Sequence, residues 1–129
     1  MQDAYTSTVP MVCGIEVKEA GGDYEAMMQL AIWSAAGLEK VKRLGRIQSN
    51  DLPPFIGWTS VGNEWKAHLS WMNSSGHLTM GPLRPINYDT GSLYGIFVLF
   101  QLISRSCSYL TLEYLPWLLR EVLGPLALP

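Results

Sequence analysis

From Met11 to Lys18 the run MVCGIEVK alternates: Met11, Cys13, Ile15 and Val17 fall on one face, and Val12, Gly14, Glu16 and Lys18 on the other. A period of two predicts a strand, here with Ile15 and Val17 turned toward a helix. Gly21-Gly22 breaks it, and Asp23 is placed to cap the next helix. Tyr24 to about Leu44 predicts that helix, a long one, with Met28, Ala31, Ile32 and Ala35 as its apolar stripe and Gly45 as a stop.

The pattern then changes. Asn50 to Pro54 reads as a loop, and Phe55–Val61 and Glu64–Met72 read as two strands joined at Gly62-Asn63, a tight hairpin signal. In the second strand Trp65, Ala67, Leu69 and Trp71 alternate with Lys66, His68, Ser70 and Met72. Trp58, Trp65 and Trp71 read as hairpin core, and His68 and His77, with no partner at ligand spacing, are expected to be exposed. A short strand around Leu78 to Met80 comes next, and Pro82 and Pro85 fix an extended linker. Ser92 to about Ser106 and Tyr109 to Leu123 predict two apolar helices, the second kinked or divided at Pro116.

The expected fold is α/β: a small mixed sheet with flanking helices, in one domain spanning residues 1–129. Composition supports a packed core, since 48% of residues are hydrophobic and 16% charged. A net charge of −2 argues against a broadly basic nucleic-acid binder, but not against phosphate contacts at a small local site. Cys13 and Cys107 lie far apart in apolar segments, outside any metal-ligand spacing, and read as buried, reduced thiols. The polar N-terminus lacks a signal-peptide core, so an intracellular location, cytoplasmic or nuclear, is expected. The apolar stretch from Thr90 to Ser104 is shorter than the ~20 residues of a membrane span, so no membrane contact is expected.

One constellation carries chemistry. Glu16 and Lys18 form E-x-K on one strand face, and Gln29 comes after Lys18 with ten residues between, one turn inside the next helix. Taken alone, E-x-K is common, and a salt bridge on a half-exposed strand accounts for it. Glu19 and Glu25 read as solvated.

In this context the arrangement resembles the PD-(D/E)XK nuclease superfamily, in which a strand carries (D/E)-x-K and the next helix often carries a Gln. GGDYEAMMQLAIWSAAGLEKV, FIGWTSVGNEWKAHL, GSLYGIFVLFQLISR and EYLPWLL together resemble fungal PD-(D/E)XK nuclease-like domains, from about Val9 to Leu119. The resemblance implies a restriction-endonuclease-like core and Mg²⁺-dependent phosphodiester hydrolysis. Glu16 would be a metal ligand, Lys18 the electrostatic partner of the attacking water, and Gln29 the residue that positions either of them. The family's metal-binding Asp lies on a strand upstream of E-x-K. Here Asp3, thirteen positions before Glu16, is the sole acid before the first strand and so the candidate for the second metal ligand. The chain thus resembles the C-terminal part of the usual domain, truncated at its N-terminal side, with hydrolysis weakened or lost. The alternative is a non-nuclease protein that uses the scaffold for small-molecule chemistry or protein interaction. An E-x-K strand without its usual neighbours also leaves an open edge, so a homo-oligomer is expected.

Overall fold

The computed structural model describes residues 12–83 and 88–127. Strand β1 (Cys13–Lys18) leads through Gly21-Gly22 into helix α1 (Asp23–Gly45). A short 3₁₀ turn precedes the hairpin of β2 (Phe55–Val61) and β3 (Glu64–Met72). Then come β4 (Leu78–Pro82), the two-residue β5 (Tyr88–Asp89), and a final helix α2 (Leu93–Ala127). The sheet order is β1-β2-β3-β4, with β5 beside β4 on the far edge of β3. β1 runs parallel to β2, with Glu16 level with Thr59 and Lys18 with Val61; the remaining pairs are antiparallel. This is the expected α/β architecture, and both hairpin strands begin and end where the alternation predicts.

α1 lies on one face of the sheet. Its buried stripe is Ala26, Leu30, Ser34 and Leu38, and not the predicted Met28, Ala31, Ile32 and Ala35; Met28 and Ile32 are exposed. Backbone space decides the rotation. Leu30 sits over two glycines, and a Cβ added at Gly57 or Gly14 would lie 2.7 or 3.2 Å from its Cδ1. Asp23 does not cap the helix; the N-cap is Gly22, and no side chain bonds there. At the other end Gly45 is still helical and Arg46 takes the left-handed conformation, φ 52°. Gly45 is small for packing, since a Cβ there would meet Ile47 Cδ1 at 2.5 Å.

α2 covers the opposite face. Leu99 joins Ile56, Trp58 and Ala67 in a core that also takes in Cys13 and Trp65. Trp58 and Trp65 meet edge-on at 6.3 Å, whereas Trp71 is exposed. The two predicted C-terminal helices are one. Pro116 lacks an N–H and crowds the preceding turn, and wider π turns at Leu110–Tyr114 and Leu119–Leu123 flank it and take up the mismatch. Fusion makes α2 the one helix among the described residues that is long and apolar enough, by length and composition, to cross a membrane; 6% of its most apolar window is buried.

Two expectations about sheet faces are overturned. Ile15 and Val17 are 56% and 66% exposed and pack against no helix, because α2 reaches β1 only near Cys13. Every residue of β2 is buried, and His68 on β3 is 1% exposed. With α1 on one face and α2 on the other, the central strands have no solvent side.

Candidate active site

Glu16 and Lys18 share the α1 side of β1, as two residues of alternation require. They do not pair with each other: among the described residues no ion pair involves Glu16. Lys18 reaches the first turns of α1 instead, where its Nζ lies 3.2 Å from Glu25 Oε1. Gln29, one helical turn on, donates from Nε2 to the same Oε1 at 3.3 Å. The structure thus brings Lys18 and Gln29 together through Glu25, and leaves Glu16, half-buried, beside them on the strand. Glu25 is expected in solvent on sequence grounds and is indeed exposed, but it also bridges Lys18 and Gln29. The signal for it is the spacing itself, since residues four apart stack on one helix face and Gln29 is a site candidate on that face.

The row continues across the sheet. Glu16 is level with Thr59, and Thr59 with Lys66. Lys66 is shared by Asp23 and Glu64, each at 3.7 Å. Beneath α1, Thr59 Oγ1 and His68 Nε2 are hydrogen-bonded at 3.0 Å. Burial, and then the nearby Lys66 charge, hold His68 below the usual histidine pKa. Past the C-terminal end of β1 lies an open concavity of about 320 Å³, lined by Gly21, Asp23, Gly62, Asn63, Glu64 and Asp89 among others. Its acids are unfavourable to a phosphate.

The family model for the PD-(D/E)XK nuclease superfamily matches residues 2–115. The chain belongs to this superfamily. No curated protein and no solved structure matches it.

PD-(D/E)XK nucleases typically use divalent metal ions, and the described residues can be tested for such a site. They contain no group of three or more His, Cys, Asp or Glu able to hold a metal. Mg²⁺ is satisfied by one or two carboxylates with waters and substrate phosphates. Here Asp23 and Glu64 are turned to Lys66, and Glu25 to Lys18. That leaves Glu16 as the carboxylate of E-x-K that no ion pair takes up among the described residues, and a cation there would rest on it together with waters and substrate phosphate. The other expected ligand, Asp3, lies outside the described residues.

Proposed function

We propose that this chain is a nuclease-like scaffold whose E-x-K strand is held in an ion-paired state, and whose own phosphodiester hydrolysis is weak or lost. The observation that carries this reading is the Lys18–Glu25–Gln29 contact. A lysine that must stabilise charge on a phosphate in the transition state has to present that charge to the substrate. Lys18 presents it to a carboxylate, and the amide that would position it is bound to that same carboxylate. The acidic concavity beside the strand, together with the net charge of −2, supports the same reading.

The test is cleavage of supercoiled plasmid and of a labelled single-stranded oligonucleotide in Mg²⁺ or Mn²⁺, beside a calorimetric Mg²⁺ titration. The expected result is no product above the Glu16→Ala background and no saturable heat at millimolar Mg²⁺. Metal-dependent cleavage that is lost in both Glu16→Ala and Lys18→Ala would establish a working site and end the proposal.

Protein association on the same scaffold is the second reading. It is favoured by one observation, the exposed apolar side chains of Ile15 and Val17 on a strand at the edge of the sheet among the described residues.

A further inference from the structure

Three polar side-chain atoms are buried without a hydrogen-bond partner among the described residues: Ser34 Oγ, His68 Nδ1 and Ser70 Oγ. Their residues are 0%, 1% and 1% exposed. A buried polar group left unpaired loses its hydration and gains nothing in exchange. Native interiors hold few such groups, and each calls for a physical reason.

The three share one layer, between α1 and the sheet. His68 and Ser70 are two apart on β3, so they project from the same face. α1 runs alongside β3 in the same direction: Asp23 meets Lys66 at one end, and Leu38 packs with Met72 at the other. Fifteen residues of helix rise about 22 Å and six residues of strand about 20 Å, so the two keep in step. Leu30 accordingly rests on Gly57, which is level with His68. Ser34, one turn further along the buried stripe, comes level with Ser70. The His68 ring points Nε2 at Thr59 Oγ1. Thr59 is level with Lys66, on the side of His68 away from Ser70. The two nitrogens of an imidazole face opposite sides of the ring, so Nδ1 is turned toward Ser70 and Ser34. No two of the three atoms bond directly.

We propose that a single ordered water is held between α1 and β3 by Ser34 Oγ, His68 Nδ1 and Ser70 Oγ. A buried water typically makes about three hydrogen bonds to groups that have no other partner, and this layer offers that number. The water oxygen accepts both serine O–H groups, and one water hydrogen goes to Nδ1, the acceptor of the neutral ring. The tautomer is thereby fixed. The ring proton sits on Nε2 and is donated to Thr59 Oγ1, on the residue level with Glu16 of β1. The donor set suits water and not a cation, since one imidazole and two neutral hydroxyls bring no negative charge, and the Lys66 ammonium is near enough to act on the ring. The water ties α1 to β3 where the helix carries a serine in place of an apolar residue. The site is separate from the hydrolysis and association readings, and its test involves neither.

The experiment is a crystal structure of the 129-residue chain, joined to oxygen-17 relaxation dispersion in solution. An ordered solvent oxygen within hydrogen-bond distance of all three atoms, about 2.5–3.2 Å, is the expected result. A dry contact, or a direct bond between any two of them, overturns the proposal. In solution, Ser34→Ala combined with Ser70→Ala should lower the number of long-lived internal waters by one, and an unchanged number overturns it. Urea denaturation at pH 8, where His68 is neutral, gives a third reading. With the water in place, Ser70→Ala takes away one of its partners, and the denaturation midpoint falls. Were the hydroxyl dry and unpaired, alanine would remove a buried polar group and the midpoint would rise, which rejects the site. Should the double variant fail to fold, the crystal structure and Ser70→Ala alone still decide.

Discussion

Lys18 gives its ammonium to Glu25 on α1, at 3.2 Å, and not to Glu16 two residues away on its own strand. Strand geometry puts Glu16 and Lys18 on one face but separates them along the strand, while the helix that returns over β1 brings Glu25 directly to the lysine. Gln29 then closes on the same oxygen.

This pairing predicts how the three residues respond to substitution. Glu25 is 63% exposed, so the ion pair is screened and contributes under ~1 kcal/mol. Lys18→Ala, Glu16→Ala and Glu25→Gln should each leave urea-denaturation stability within that margin. Loss of folding in either strand variant would identify a structural bridge. Glu25→Gln carries a second expectation, since it frees Lys18: binding to a short fluorescent oligonucleotide at low salt should tighten severalfold, and the gain should vanish when Lys18→Ala is added. No change on freeing Lys18 would mean that this lysine cannot reach a phosphate.

The thiols should separate by reactivity. Cys107 is exposed, whereas Cys13 is half-buried against Ile56 and Leu99, and burial, then the neighbouring Cys107, push its thiol pKa up. The thiolate is the reacting species. Titration with a chromogenic disulfide at pH 8 should show one fast thiol and one at least tenfold slower. Cys107→Ser should remove the fast phase alone. Two equal rates would place Cys13 at the surface.

Close approach of α1 to the sheet constrains packing at Gly57. A Cβ at Gly57 would lie 2.7 Å from Leu30 Cδ1 and 3.0 Å from Cδ2, and Leu30 is itself fully buried. Gly57→Ala should therefore cost ~1–3 kcal/mol through overpacking. Leu30→Ala alone should also destabilise, by leaving a cavity. Added to Gly57→Ala, it should recover part of the overpacking cost, because the two changes meet in one contact. Additive losses in a thermal-melt cycle would count against the contact.

The sequence is most informative where one residue type decides a conformation, and least where the position of another element decides. Gly62-Asn63 marks the hairpin turn, and the β2 and β3 boundaries match the alternation residue for residue. The E-x-K strand and its helix also stand where the pattern puts them. Facing is not legible. Alternation says which residues share a side, and not which side is covered; so it points His68 to solvent and Ile15 and Val17 to a helix, each the reverse of the structure. The stripe of α1 escapes for a similar reason. Ser34 and Ala26 are small enough to lie against the sheet, and the glycines that admit Leu30 belong to β1 and β2. Pro116 suggests a break that the π turns absorb. Glu25 enters the candidate site because a partner 7 residues earlier in the chain folds back onto it.

Burial of His68 makes stability depend on pH. Its Nε2 bonds Thr59 Oγ1, and its Nδ1 has no hydrogen-bond partner among the described residues. A protonated ring would carry two donors, one of them unanswered, beside the Lys66 charge. Burial and that charge accordingly lower the pKa from 6.5 in the folded protein. Between the two pKa values the unfolded chain binds the proton and the folded chain does not. Stability is therefore complete above about pH 6.5 and falls as the pH drops below it, by at most ~1.4 kcal/mol per pH unit for one proton, until the folded pKa is passed. Urea denaturation from pH 8 to 5.5 should show a plateau and then a decline. His77, the other histidine, is exposed. His68→Gln keeps a polar group toward Thr59 without a titrating ring, and should flatten the decline. A profile that falls equally in His68→Gln would assign the dependence to other groups, and would mean that His68 is protonated in the fold.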